Sequence, residues 1–399
     1  MNKIFFILFL FLLVPFLSNG QNKTKLNTPP GVVINHSFAS DELYIGSPSI
    51  CILSNGNYIA SHEYFGPGNK GKSSIVHIFQ SKDRGKSWKQ ISKIQGQNWS
   101  KLFVINDNLY ILGPVISGGD LVIRKSFDGG YNWTTPIDRY TGRIFKGHFH
   151  TAPTPVIFYN NRIWKAVEDM DGLVKGWGKH FRAFVVSAPL DSDLLKASSW
   201  VKTNPMCYNA EYLNGHFGGW LEGNIVLGPE DKLYNILRVD YREPDGEKAA
   251  LISISDDGKK ASFNPKTGFI NFPGGCKKFN VLFDTETQKY WTISNYVPEQ
   301  EKGYNPERTR NTLALMYSDD LKNWTVKGIV LNHPDVEKYG FQYVDFQFDG
   351  KDIIFVSRTA YDDEDGGADS QHNANYLTFH RIKNFKNYKT PDKWLKLMP

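Results

Sequence analysis

Apolar and polar residues alternate along this chain in short runs, not in helical steps. From Ile45 a unit recurs: an apolar strand, a turn rich in Asn, Asp or Gly, a second strand, and a third strand ending in a serine-rich turn. The first unit is IGSPSICIL, SNGN, YIASHEYF and SSIVHIFQ; the second is KLFVI, NDN, LYILGPVI and LVIRKS. The third is HTAPTPVIF, YNN, RIWKAVED and FRAFVVSAPL; the fourth is GWLEGNIVLG, PEDK, LYNILRVD and AALISIS. The fifth is KKFNVLFD, TETQ, KYWTISNY and TLALMYS; the sixth is FQYVDFQFD, GKD, IIFVSRTA and NANYLTFHRI. Each unit predicts a four-stranded blade, and Gly31–Phe38 predicts a strand that completes the last one. The stretch between Trp200 and Trp220 is too irregular to place, and a seventh blade has room there or in the first hundred residues.

The turn after the third strand is itself a repeat. SKDRGKSW (Ser81–Trp88) and SFDGGYNW (Ser126–Trp133) fit S-x-D-x-G-x-x-W, SDDLKNW (Ser318–Trp324) is a shortened copy, and Ser187–Trp200 and Ser255–Phe263 are weaker echoes. In such a turn the Asp accepts from the turn's own N–H groups, the Gly takes a positive φ, and the Trp plugs the turn against its sheet. Repetition after each alternating strand predicts an all-β, single β-propeller, with six blades by strand count.

Composition narrows the partners. A formal net charge of +6 in 399 residues suits an anionic partner, but no Lys/Arg block interleaved with aromatics points to nucleic acid. Lys3 followed by the apolar run Ile4–Leu17 and the small residues Ser18–Gly20 reads as a signal peptide over residues 1–20. The mature propeller, residues 21–399, is then expected to be secreted or periplasmic, with no membrane span, and monomeric. Cys51, Cys207 and Cys276 lack metal-ligand spacing and read as three buried, small apolar side chains. No cofactor and no metal is expected.

In a blade the serine turn joins the third strand to the fourth, so chemistry belongs at the opposite face. That face receives the start of strand one, the end of strand two and the start of strand three. These positions supply His62 and Glu63; His148, His150 and Glu168; Trp220, Glu222, Asn224, Arg238 and Tyr241; Lys278; and Asp345, Arg358 and Tyr376. Polar strand ends are ordinary, but His and Arg embedded among apolar residues, as in YIASHEYF, ILRVDY and FVSRTA, are not. His148 and His150 stand two apart on a strand and share a face. A neutral imidazole suits acid–base work near neutrality, which makes His150 and His62 candidate catalysts.

ASHEYFGP, HTAPTPV, GWLEGN, ILRVDYRE, FPGGCKKF, GFQYVDFQFDG and NANYLTFHRI carry a wider resemblance. The chain resembles exported sialidase-like propellers of the subgroup similar to the α-L-rhamnosidases of glycoside hydrolase family 145 and, more distantly, the ulvan lyases of polysaccharide lyase families 24 and 25. That resemblance implies seven blades, a number taken over the strand count, and an anionic rhamnose–uronate oligosaccharide or polysaccharide as substrate. It implies β-elimination at a uronic acid, as a lyase or dehydratase, with His150, a Tyr (Tyr208 or Tyr241) and Arg238 in the pocket. His148, Glu222, Asn224, Lys278, Arg358 and Tyr376 would bind substrate. The alternative is an exo-α-L-rhamnosidase using His62; a non-catalytic glycan-binding propeller is the third. A sialidase is disfavoured, because sialidases resemble one another in gripping a carboxylate with three arginines, the first in an early F/Y-R-I-P segment. Here the first Arg is Arg84, inside a serine turn.

Overall fold

The structure is a computed structural model that describes residues 28–69 and 74–399; the expected signal peptide lies outside the described residues. The alternating runs form six blades, and strand pairing gives each its members. Blade 1 holds Ser49–Ile52, Tyr58–Phe65, Ile75–Ser81 and Lys89–Gln95; blade 2 holds Lys101–Ile105, Asn108–Pro114, Gly119–Ser126 and Arg143–His150. Blade 3 holds Val156–Tyr159, Arg162–Asp169, Arg182–Pro189 and Val201–Lys202. Blade 4 holds Trp220–Leu227, Leu233–Val239 and Lys248–Ile254, with two short strands, Ala261–Ser262 and Phe269–Asn271, sharing its outer edge. Blade 5 holds Val281–Asp284, Lys289–Asn295, Thr312–Ser318 and Trp324–Asn332. Blade 6 takes Gly340–Asp349, Asp352–Ala360 and Tyr376–Ile382 from the end of the chain and Val32–His36 from its beginning. That last strand pairs antiparallel with Tyr376–Ile382, so the first described strand closes the ring.

Seven blades, the number implied by resemblance, are not formed by the described residues. The unplaced stretch before Trp220 is a loop with one bridge, Ala183 to Met206, and a single 3-10 turn at Tyr212–Gly215. Too few apolar alternations occur there to pair a further sheet. His148 and His150 end the fourth strand of blade 2 and do not begin the first strand of blade 3; that inner strand is only Val156–Tyr159.

The serine turns are built as their residues dictate. Ser81 Oγ donates to Asp83 Oδ1 at 2.8 Å and accepts from Gly85 N, while Asp83 Oδ1 accepts from Ser87 N. The second copy repeats this with Ser126, Asp128, Gly130 and Asn132. The degenerate copy in blade 4 keeps the Ser255–Asp257 bond and drops the Trp. In blade 3 only the Trp survives, Trp200 Nε1 donating to Leu194 O.

Between blades, apolar faces pack on one another. Trp164 and Val185 of blade 3 meet Trp220, Ile225 and Leu237 of blade 4, for example. At the axis one carboxylate joins four blades. Asp345 Oδ2 accepts from Ser49 Oγ, Ile50 N and Lys101 Nζ, and its Oδ1 accepts from Asn280 Nδ2. Asp345 and Lys101 are both buried, and their pairing with added hydrogen bonds is what makes burial of the two charges tolerable. Asn224 likewise stitches blade 4 to blade 5, donating to Phe279 O and accepting from Val281 N.

Candidate active site

Two inner strands bulge at matching places. In blade 4 the register shifts between Leu221 and Asn224, and Glu222 takes a φ of 48°. In blade 6 it shifts between Gln342 and Asp345, and Tyr343 takes a φ of 56°. Each residue stands three after a glycine, in GWLE and GFQY. A bulge re-aims a side chain that the pleat would otherwise send into the sheet. Left-handed backbone at a non-glycine residue is strained and survives only where its surroundings over-determine it. Here they do: Glu168 Oε1 accepts from Gly223 N at 2.8 Å, and Asn295 Nδ2 donates to Phe341 O at 2.7 Å.

The two bulges bring Glu222 and Tyr343 close enough that each shifts the other's proton equilibrium. Three arginines surround them. Arg238 Nη1 donates to Glu222 Oε2 at 2.7 Å, and its Nε donates to Cys276 O. Arg310 donates to Gln342 and to Glu307, and Glu307 also lies 3.7 Å from Arg238. Arg358 stacks between Phe65 and Tyr343, 4.7 and 4.5 Å from the ring centroids, and donates to His372 O. Arg238, Arg310 and Arg358 are each no more than 2% exposed. They come from blades 4, 5 and 6, so the missing early Arg does not leave the molecule without an arginine triad. Gly46 stands in the early segment of blade 1, and a Cβ there would lie 2.3 Å from Glu63 Oε1.

Electrostatics follow from this packing. Burial pushes the Glu222 carboxyl up, but Arg238 outweighs it and holds the group below the usual carboxylate range. Burial and then Glu222 raise the Tyr343 phenol. Burial opposes the charge on Arg238, yet Glu222, Tyr343 and Glu307 more than restore it. Arg358 has no such carboxylate in contact, and burial brings it down to about 10. Glu63 is pushed up to about 8 by burial, against its bond from Ser47 N and the nearby Arg358.

His150 belongs to this group. It is buried against Trp99 and Phe181 (centroids 4.8 and 4.7 Å), pairs in register with Glu168, and feels the charges of Glu222 and Arg238. Burial lowers it to about 4, so the ring is neutral. Lys278 is also buried, donates to Val344 O at 2.6 Å and is lowered to about 7 by burial. Four buried polar atoms here lack a partner among the described residues: Ser47 Oγ, His150 Nε2, Glu168 Oε2 and Arg358 Nε. Buried polar atoms are normally satisfied, so four together mark a place where a ligand is expected. Two long polar insertions, residues 298–308 and 361–371, meet beside it through Gln371 Nε2 and Arg308 O.

The other candidates fall elsewhere. His62 is buried with both ring nitrogens committed, Nδ1 to Glu63 O and Nε2 to Asn35, and stacks on His77 and Phe79 inside blade 1. His148 is exposed and pairs with Asp171 at 2.7 Å, so it does not converge with His150; among the described residues no group of three or more His, Cys, Asp or Glu is placed to hold a metal. Tyr208 stacks on Phe217 in the loop before blade 4. Tyr241 donates to Asp245 on the rim, and Tyr376 stacks on His36 and donates to Asp362 O. Asn224 is spent on the blade 4–5 stitch. Cys207 is exposed and only Cys51 and Cys276 are buried, because residues 203–219 form a surface loop. Tyr343, Arg310 and Glu307 were not among the sequence candidates.

No family model matches the chain, and no curated protein matches it by sequence. Solved structures do. A Hadza microbial sialidase superposes with a TM-score of 0.60 at 12% identity, over 88% of this chain and 68% of that one. An α-L-arabinanase of Penicillium chrysogenum gives 0.54 at 14%, over 90% and 98%. Trypanosoma rangeli sialidase gives 0.52 at 15%, over 87% and 55%. The chain is a β-propeller of the architecture these proteins share. At such identities the likeness speaks for the fold alone.

Proposed function

We propose that the protein is a carbohydrate-active enzyme that hydrolyses the glycosidic bond of a carboxylate-bearing sugar. The observation that carries this reading is the convergence of Arg238, Arg310 and Arg358 on the Tyr343–Glu222 pair. Guanidinium forks suit a sugar carboxylate. A phenol backed by a carboxylate base is a known glycosidase nucleophile. Tyr343 oxygen attacks the anomeric carbon as Glu222 takes the phenolic proton. The bond to the leaving oxygen breaks, and that oxygen takes a proton from Glu168, whose carboxyl is raised by burial and whose Oε2 is free to donate. Water then attacks the anomeric carbon and gives its proton to Glu168, while the departing Tyr343 oxygen regains its proton from Glu222. The structural neighbours include an α-L-arabinanase and a sialidase, which supports the class.

A second reading is β-elimination at a uronic acid in a rhamnose–uronate glycan, favoured by one observation: the neutral His150 ring with Nε2 unpartnered beside the arginines. His150 would take the C5 proton, the arginines would hold the carboxylate, and Tyr343 would protonate the departing oxygen. The rhamnosidase reading rested on His62, whose nitrogens are both occupied.

One experiment separates the two. The purified protein is incubated with aryl glycosides of sialic and glucuronic acids and with ulvan oligosaccharides. Released reducing sugar and the ultraviolet absorbance of a C4–C5 double bond are followed together. Sugar release without new absorbance is expected, and Tyr343→Phe abolishes it. New absorbance that His150→Ala abolishes would replace hydrolysis by elimination.

A further inference from the structure

The insertion 298–308 is absorbed only in part by the arginine cluster, through Glu307. Its outer side walls a separate cavity of about 430 Å³ on the same face, between the rim loops of blades 4 and 5. Pro244, Phe272, Tyr296, Val297, Tyr304 and Pro306 give it apolar and aromatic walls. Its charged lining is already engaged. Arg242 forks onto Asp240, Lys302 pairs with Glu299, Glu243 with His216, Asp245 with Lys248, and Glu247 with Lys277. Among the described residues no lining cation is left over to receive an acid, and Glu243, Asp245 and Glu247 outnumber Arg242 and Lys302 around the wall. The cavity and the arginine cluster share a partition: Pro306 lines the cavity, and the next residue, Glu307, contacts Arg238 and Arg310.

We infer that this cavity is a second sugar subsite, holding a neutral pyranose of the same glycan whose acidic sugar sits among the arginines. The inference rests on the proposed glycan substrate. Ring faces of a neutral sugar are apolar and pack on Tyr and Pro, while hydroxyls reach the paired charges at the edge. An acidic sugar is repelled by the carboxylates. The two sites therefore divide the work: the arginines recognise charge, and the cavity recognises an uncharged neighbour.

The test uses direct binding to the full chain by saturation-transfer NMR. The probes for the cavity are lactose, cellobiose and maltose; those for the arginines are free N-acetylneuraminic and glucuronic acids. Val297→Trp fills the cavity and Tyr304→Ala removes a wall. At least one neutral disaccharide is expected to bind, to be lost in Val297→Trp, and to bind about tenfold more weakly in Tyr304→Ala, with acid binding unchanged in both. If none of the three binds, or binding survives Val297→Trp in a variant whose melting curve is native, the subsite is overturned. If a neutral probe binds as expected while neither acid does, the arginine reading fails and this one stands.

Discussion

In the proposed reaction Tyr343 and Glu222 would be held to one geometry, because both side chains project from left-handed bulges that neighbouring blades pin in place. Tyr343→Phe should leave the carboxylate grip intact, so turnover should fall by on the order of 10³-fold or more while binding of an acidic sugar persists; turnover within tenfold of the parent would remove Tyr343 as nucleophile. Arg358→Ala should lower kcat/KM by roughly 10²-fold, mostly through KM, if its donor is used on the substrate carboxylate. Glu63 makes a different test. Its carboxyl stands at about 8 in the fold against 4.5 ordinarily. Between those values the native protein keeps a proton that the unfolded chain has released, so the Glu63 contribution is full below pH 4.5 and is lost as pH rises toward about 8. Glu63→Gln should flatten that decline; denaturant midpoints with the parent slope across the same range would refute the assignment. Arg238 and Arg358 stood out in the sequence because each is embedded among apolar residues, Glu222 by its place at the start of a strand, and His150 as one of two histidines two apart on a strand. Tyr343 was not, because a Tyr in GFQYVDF reads as an ordinary strand residue. Only its offset from Gly340, the same as that of Glu222 from Gly219, distinguishes it.

Within the blades, a residue in the last two positions of the second strand repeatedly reaches toward the next blade. Glu168 accepts from Gly223 N, Arg238 donates to Cys276 O, and Asn295 donates to Phe341 O. One element thus both carries functional groups and anchors its neighbour, which is why several rim candidates are structural. The serine turns do the opposite job on the far face. Asp128→Ala removes acceptors for Tyr131 N and Asn132 N and should lower the melting temperature by a few degrees, roughly 2–4 °C for each kcal/mol lost, with turnover unchanged. A loss of turnover in a variant still folded at the assay temperature would mean that the two faces are coupled. Strands and turns were readable from alternation and from the Ser/Asp/Gly/Trp repeat. The boundary between blades 2 and 3 was not, because Arg143–His150 continues pairing past its own blade, Phe149 with Asp169 and His150 with Glu168.

For the ring as a whole, Asp345 is the shared fastening at the axis. Asp345→Ala leaves the buried Lys101 without its carboxylate and should destabilise the fold by about 3–5 kcal/mol, read as a lower denaturant midpoint; a near-parental midpoint would show that the axis is held by blade packing alone. Six blades followed from counting alternating runs, whereas resemblance suggested one more, because a family likeness in strand motifs does not count the blades. The seam of blade 6 has a temporal meaning. Val32–His36 is synthesised before every other described strand, and its partner Tyr376–Ile382 after all of them. The ring therefore stays open until nearly the whole chain exists, and closing it joins segments more than 300 residues apart, with an entropy penalty that grows slowly with loop length. Through that interval blade 6 lacks its outer strand and presents an unpaired edge, the surface most exposed to wrong pairing. Moving residues 28–38 behind Pro399 by circular permutation would make the seam local.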